Sequence, residues 1–426
     1  MFDQINFDSY SLKIKTNLIY AFSWIFVCGV MLNHFTNQNN DYLVFHNAGS
    51  QLLAGINPWD YSGDKHAMWL YGPITLIYNS GLSILPIQAS LTLIRVITLL
   101  STLMIAFFIS NKLLRINPFI LAIFLMFSYP VRACLEYGRT DIIITLITLR
   151  LLYELSESRN FSNVYILTFF SVLVLDYKPH LAIPILGILV IHGFKKVLFI
   201  SLIIYLTIFV FFYSIYEINF LESWYRAIRI RQVDATKTTD QLSFSSLISE
   251  RIGTVIFVLV CFLIVVQLIH MRYIKYIFKN VFASYLSIML LFITFGIFLH
   301  PTDVFLHVII CLFLVRNNAS LVNIFCLGCF LVLSPNIYVN VVLVVLNFAC
   351  FYILDLMDFR LKTKYMLTLF VPLSLYTVLV LIDPSQEELA RRFLQYISLL
   401  FVTCLSASSN LLLNKNTFNM IKTWKS

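Results

Sequence analysis

The stretch from Asn39 to Tyr71, NNDYLVFHNAGSQLLAGINPWDYSGDKHAMWLY, follows the first apolar segment of the chain. Asp41 stands near its start, where that segment would leave a membrane. The next residues repeat with the spacing of a helix, because apolar or small side chains share one face and polar ones the other. The apolar face holds Tyr42, Phe45, Gly49 and Leu52, and the polar face holds Asn47, Ser50 and Gln51. We therefore predict an amphipathic helix that lies along the membrane surface.

A turn and a second apolar stretch follow this helix. Gly55, Asn57 and Pro58 are typical turn residues, and a polar run leads from them to Tyr71. The chain becomes apolar again after Tyr71, and we predict a second surface helix over 72–87 that does not cross the membrane. The first outer loop, 34–87, would thus contain two surface helices.

The composition places the chain in a membrane. Of its 426 residues, 60% are hydrophobic and only 12% are charged, which is too apolar for an ordinary soluble domain. Apolar stretches recur with lengths near the roughly 20 residues that a spanning helix needs, so we predict an all-α, polytopic membrane protein with about 12–14 transmembrane helices. The segment from Asn17 to Asn33 has no small-residue cleavage pattern after it, and we expect it to be a retained first helix.

The basic residues predict an orientation. If Lys13 and Lys15 lie on the cytoplasmic side, the first helix carries Asp41 to the outer side, and a helix over about 88–110 returns to Lys112. We therefore expect a multi-pass protein of the bacterial cytoplasmic membrane with its functional site facing outside or the periplasm. The whole chain, 1–426, would form one membrane domain, with functional motifs over 88–320 and a helical scaffold over 321–426.

Several partners and cofactors are disfavoured. The net charge of +9 comes from basic residues scattered through short loops, so nucleic acid is not an expected partner. The 8 cysteines stand singly beside apolar residues, apart from Cys326 and Cys329, which have no acidic or His neighbours in sequence. They predict neither disulfides nor zinc, and no metal or other cofactor is expected.

Cations on the predicted outer side need a reason to be there, because they oppose the orientation rule. They include Arg139, Lys178, Arg226 and Arg229. Together with an acid at a helix exit, they suit an enzyme that handles a lipid phosphate: cations stabilise the phosphate and the acid accepts a proton from an attacking hydroxyl. The alternative is that the cations reach lipid headgroups and that Asp41 caps a helix.

Four motifs, in order, carry a resemblance to a known family. DYLVFHNAGSQLLAGINPWD from Asp41, followed by WLYGPITLIYNSGLSILP, resembles the signature of glycosyltransferase family 87, which belongs to the GT-C membrane glycosyltransferases. YGRTDIIITL from Tyr137, LDYKPHLAIPIL from Leu175 and HPTDVFLHVIICL from His300 are similar to later segments of that family. The departures include Trp59 for Tyr, Gly72 for Pro, Arg139 for Gln and Asp141 for Asn.

The resemblance implies an activity. Members of the family transfer a sugar, commonly mannose, from a polyprenyl phosphate, so the expected partners are that donor, a glycan or glycolipid acceptor and the lipid bilayer. The reaction would invert the anomeric centre, with Asp41 as general base and with the two surface helices over an outward-facing cavity. His307 would orient Asp41 or the donor, although a lone His in an apolar helix is often a packed residue.

The other candidate residues have two explanations each. Arg95, inside an apolar helix, would contact a phosphate or reach headgroups. Arg139 would contact substrate or pair with Asp141. The remaining candidates for substrate binding are Asn57, Tyr71, Lys178, His180, Arg226 and Arg229, while Asp60 and Asp64 are either solvated turn residues or contacts to sugar hydroxyls.

Two other functions stay open from the sequence. A surface-polysaccharide polymerase of the O-antigen type would use arginines of later outer loops, which Arg226 and Arg229 provide. A lipid-linked sugar flippase or transporter is disfavoured, because such folds usually show paired repeats and polar residues at the membrane midplane. The notable polar residues here gather at one face instead.

Overall fold

The computed structural model describes residues 2–35, 40–59, 71–111, 117–158 and 161–216, with a few further positions between 222 and 310. Within these residues every regular element is helical and no strand occurs, which confirms the all-α prediction for this part of the chain. The helices are α1 Phe2–His34, α2 Asn40–Leu53, α3 Pro73–Ser83, α4 Ile87–Ile109, α5 Pro118–Met126, α6 Tyr129–Tyr137, α7 Asp141–Tyr153, α8 Phe161–Tyr177, α9 Pro179–Ile191 and α10 Lys195–Tyr216.

The protein is membrane-embedded, since three described helices are long and apolar enough to cross a bilayer. They are Asn17–His34 of α1, the whole of α4 and the whole of α10, and α5 with Pro130–Tyr137 would add a fourth if this bent pair is one broken span. Large apolar side chains of α1 and α10, among them Phe26 and Phe211, are exposed, as lipid-facing residues would be. The predicted count of 12–14 spans extends beyond the described residues and stays a prediction.

The first helix is longer than its apolar segment. The sequence predicted Asn17 to Asn33, whereas α1 begins at Phe2, so Lys13 and Lys15 lie within it. The reason is local, because residues 2–16 contain no Gly or Pro that would interrupt the helix before its apolar part.

The chain forms two compact units. The first comprises Met1–Leu146 with Tyr216–Ile228, and the second comprises Ile147–Ile215 with Arg229–Ser426. The first unit therefore holds α1 to α6 and the beginning of α7.

Helices α2 and α3 are both present, and they pack on one another as a helical hairpin, here called the α2–α3 hairpin. The predicted apolar face of α2 is confirmed: Tyr42, Phe45 and Leu52 are buried, and Asn47 and Gln51 are exposed. Its location at a membrane surface stays a prediction. A hydrogen bond joins the two helices where α3 ends, since the Ser83 hydroxyl donates to the carbonyl oxygen of His46 at 2.8 Å.

Gly49 allows the two hairpin helices to approach closely. A Cβ atom at Gly49 would lie 2.5 Å from the carbonyl oxygen of Asn79 and 2.3 Å from the hydroxyl oxygen of Ser83. Since the first of these is backbone, the clash cannot be relieved by rotating a side chain. The hairpin therefore needs glycine at this position.

We expect Gly49→Ala to lower the free energy of unfolding by about 1–3 kcal/mol, as overpacking generally does. Gly81→Ala is the matched control, because Gly81 lies in α3 of the same hairpin with nothing within 4 Å of an added Cβ. There alanine should raise stability by about 0.5–1 kcal/mol through helix propensity. Thermal unfolding of the two purified variants in detergent measures both. Equal melting temperatures would contradict the close packing of the hairpin.

A sharp break separates α5 from α6. Helix α5 starts at Pro118, with the Asn117 side chain accepting from the N–H of Phe119 at 3.0 Å. The axes of α5 and Pro130–Tyr137 differ by 66°. Pro130 explains the break, because proline has no N–H to donate and its ring would clash with the carbonyl four residues earlier in a continuous helix.

The second unit contains several buried charged residues. Arg150 and the buried Glu154 form an ion pair where α7 gives way to a short π-helix, Glu154–Ser158. Asp176, near the end of α8, accepts a hydrogen bond of 2.7 Å from the Tyr205 hydroxyl of α10. Buried acids in an apolar helical unit are stable only when such partners are present.

Candidate functional site

Asp41 lies in the first turn of α2, and the next residue, Tyr42, joins that turn to α4 by a hydrogen bond. The buried Tyr42 hydroxyl donates to the Ser90 hydroxyl oxygen at 2.8 Å. Burial raises the pKa of the Tyr42 phenol, and the hydrogen bond to Ser90 opposes that rise in part. Tyr42 therefore stays protonated and keeps donating at any physiological pH, so the turn that carries Asp41 has a fixed anchor.

The same tyrosine packs against the end of α6. Helix α6 stops at Gly138, which has the left-handed backbone conformation with φ of 64°. A Cβ at Gly138 would lie 2.5 Å from Cδ2 of Tyr42 and 3.0 Å from Cδ1 of Leu91. Only glycine satisfies both the backbone conformation and this close approach.

Arg95 ties α4 to α6. Its side chain is only 3% exposed, and Nε donates to the carbonyl oxygen of Leu135 at 2.8 Å. Leu135 belongs to the last turn of α6, whose carbonyls have no partner within the helix, so a guanidinium is a suitable cap there. The sequence suggested a phosphate or headgroups for Arg95, and this contact with the backbone is a role that the sequence did not reveal.

These contacts define one junction, the Tyr42 junction, formed by Tyr42, Ser90, Arg95, Leu135 and Gly138. It brings the first turn of α2 to the turn between α6 and α7, which carries two more sequence-predicted positions. Arg139 is half-buried with its guanidinium 4.9 Å from the centre of the Tyr137 ring, and Asp141 is buried at the start of α7. The segments holding Asp41, Arg95 and Arg139 thus meet.

Asn57 and Tyr71 lie together at the opposite end of the hairpin, around Trp59. The Trp59 indole N–H donates to the carbonyl oxygen of Tyr71 at 3.1 Å, and its backbone N–H donates to Oδ1 of Asn57 at 3.1 Å. Phe45 stacks on the Tyr71 ring with 5.0 Å between centroids. Trp59, one of the departures from the family signature, is only 1% exposed and is the centre of this cluster.

Lys178 belongs to the second unit, where it is buried. It is the residue before α9, and its Nζ lies 5.7 Å from the centre of the Tyr177 ring. The structure places His180 in the first turn of α9. The remaining predicted residues, His307, Arg226 and Arg229, lie outside the described residues, as do Asp60 and Asp64.

Among the described residues, no group of three or more His, Cys, Asp or Glu side chains is arranged to hold an ion. Cys28 and Cys134 are buried and take part in no disulfide bond.

Comparison with protein-family models, curated proteins and solved structures found no match for this chain. What the protein does is therefore inferred from its own residues.

Proposed function

We propose that this protein is a multi-pass membrane glycosyltransferase of the GT-C type. It would transfer a hexose, mannose in the first instance, from a polyprenyl-phosphate sugar to a glycan or glycolipid at the outer face of the cell membrane. Asp41 would act as general base, taking a proton from the acceptor hydroxyl as it attacks the anomeric carbon and the polyprenyl phosphate leaves. The anomeric configuration would invert.

The observation that carries the proposal is the anchoring of the Asp41 turn at the end of a membrane-spanning helix. Tyr42 holds that turn to Ser90, near the start of α4, and Arg95 lies five residues further along the same helix. The rise between Ser90 and Arg95 is about 7.5 Å. An acid at the membrane boundary and a cation just below it match a donor whose sugar and phosphate are at the surface and whose chain is in the bilayer.

The composition of the hairpin supports its placement at the lipid headgroups. Residues 42–57 and 71–85 contain no Asp, Glu, Lys or Arg. Tyr78 and Ile84 are exposed nonetheless. A water-facing hairpin normally carries charges, whereas one that lies in the headgroup region exposes apolar and aromatic groups. Such a position would hold the first turn of α2 where the sugar of a lipid-linked donor is found.

A polysaccharide polymerase is the second candidate, and one contact favours it. The side-chain amide of Asn57 donates to the Ser223 hydroxyl oxygen at 3.0 Å. Ser223 precedes Arg226 by three residues and Arg229 by six in the sequence. The hairpin thus has a fixed neighbour in the segment that leads to the arginines on which a polymerase would depend.

Sugar transfer in isolated membranes tests the proposal. Membranes with and without the protein would receive labelled polyprenyl-phosphate mannose, then the corresponding glucose and galactose donors, and the label in extracted glycans and lipids would be counted. We expect label to appear only with the protein and with one of these donors. Incorporation from none of the three, while polymer length in the cells depends on the protein, would contradict the proposal and favour the polymerase.

A further inference from the structure

Helix α10 presents an apolar surface that the rest of the protein leaves largely uncovered. Its most apolar window is 12% buried, whereas half of the corresponding window of α4 is buried. Phe199, Ile203 and Phe211 are 65%, 46% and 61% exposed. A spanning helix of this kind contacts lipid along most of its length. The polar residues at its ends therefore decide which lipids it prefers.

The two ends of α10 differ in charge. The helix begins with Lys195 and Lys196, which are both exposed, and Tyr213 is exposed near its other end. Tyr213 follows Lys195 by eighteen residues, a rise of about 27 Å, which is close to the roughly 30 Å of a hydrocarbon core. The two lysines thus lie at the headgroups of one leaflet and the tyrosine at those of the other. The orientation rule assigns the lysine end to the cytoplasmic leaflet.

The chain around the two lysines offers them no negative partner. Residues 177–216, which include α9 and α10, contain no Asp or Glu. Two of the last carbonyls of α9 already accept hydrogen bonds in the turn that ends this helix. The N–H of Phe194 donates to Leu189 at 2.7 Å, and the N–H of Gly193 donates to Val190 at 3.3 Å. The lysines also stand at the N-terminus of α10, where the helix dipole is positive, so an anion would offset both charges.

We propose that the lysine end of α10 is a binding surface for an anionic phospholipid. The lipid phosphate would accept charge-assisted hydrogen bonds from Lys195 and Lys196. Phe199, Ile200 and Ile203 follow Lys196 at the spacing of one helix face, and all three are exposed. The acyl chains would lie along this face, one turn beyond the phosphate. The surface is independent of the reaction that the protein performs.

The charge of the headgroup decides which phospholipid fits. Phosphatidylglycerol has a net negative charge, whereas phosphatidylcholine has a quaternary ammonium beyond its phosphate. Two lysines at the positive end of a helix attract the first headgroup and repel the ammonium of the second. Basic segments next to a spanning helix are attracted to anionic lipids for the same reason. We therefore expect α10 to select phosphatidylglycerol over phosphatidylcholine at its lysine end and not at its other end.

Photocrosslinking from within the helix tests this surface. The full-length protein would carry benzoylphenylalanine in place of Phe199 or, as the matched control, in place of Phe211. Both are phenylalanines of α10 with nearly equal exposed fractions, 65% and 61%, but Phe211 lies in the half of the helix away from the lysines. Each protein would be placed in vesicles of equal amounts of phosphatidylglycerol and phosphatidylcholine, with one lipid labelled at a time. The ratio of the two crosslinked lipids is the measurement.

We expect the ratio of phosphatidylglycerol to phosphatidylcholine at Phe199 to be at least about 3-fold higher than at Phe211. Lys195→Gln combined with Lys196→Gln should lower it to the ratio at Phe211. Lys195→Arg combined with Lys196→Arg should preserve it, because both charges remain.

Equal ratios at Phe199 and Phe211 would overturn the proposal, and this comparison needs neither lysine pair, so it decides even if the glutamine pair is unstable. A higher ratio at Phe199 that persists in the glutamine pair would overturn it as well, because the lysines would then not select the lipid. Size-exclusion chromatography in detergent checks that each variant is folded.

Discussion

Asp41→Asn is expected to reduce sugar transfer by a factor of about 10² to 10⁴, the usual contribution of a general base. Asparagine has nearly the shape of aspartate, and its amide can still accept hydrogen bonds, but it cannot take a proton from the acceptor hydroxyl. Protein level and melting temperature should change little. The measurement is initial transfer rate in membranes that contain equal amounts of native and variant protein.

Asp60→Asn and Asp64→Asn are the matched controls, because these two carboxylates belong to the same loop in the sequence. We expect each to retain transfer within about threefold of the native rate, as solvated turn residues would. Asp41→Glu should retain part of the activity, since it keeps a carboxylate that is displaced by one methylene. If Asp41→Asn transfers sugar at the native rate while transfer still requires the protein, Asp41 is not the base.

The sequence predicted the hairpin well because its helices and turn depend on residues that are close together in the chain. The burial of Tyr42, Phe45 and Leu52 follows directly from helical spacing, and Gly55 occupies the turn with φ of 72°. The predicted surface helix over 72–87 and membrane helix over about 88–110 correspond to α3 and α4. Proline at the first position of α3 and at the residue before α4 marks both starts.

The sequence could not predict the contacts that join distant segments. The partners of Tyr42 and Arg95 are 48 and 40 residues away, and no periodic pattern connects such positions. Arg95 shows the consequence, because its place in an apolar helix suggested a phosphate or lipid headgroups and gave no sign that its Nε also donates to the carbonyl of Leu135. Trp59 was counted only as a departure from a motif, although its indole organises Asn57 and Tyr71.

Gly138→Ala is expected to cause the largest loss of stability, because the added Cβ atom is unfavourable for two reasons whose free-energy costs add. The left-handed backbone at φ of 64° costs a residue with a Cβ roughly 1–2 kcal/mol. The Cβ would also lie 2.5 Å from the Tyr42 ring, and overpacking of this kind adds about 1–3 kcal/mol. We therefore expect the free energy of unfolding to fall by about 2–5 kcal/mol, measured by denaturant titration in detergent.

Gly55→Ala separates the two penalties. Gly55 has φ of 72°, but nothing lies within 4 Å of an added Cβ, so only the backbone penalty should remain. The difference between the two variants reports the contacts with Tyr42 and Leu91. Combining Gly138→Ala with Tyr42→Ala removes the ring, which makes the closer of the two contacts, and the added effect of alanine at Gly138 should then fall toward that of Gly55→Ala. An unchanged effect in that background would show that Tyr42 does not pack against the end of α6.

Because Tyr42 follows Asp41 directly, we expect Gly138→Ala also to slow sugar transfer, and Gly55→Ala to leave it within about twofold of the native rate.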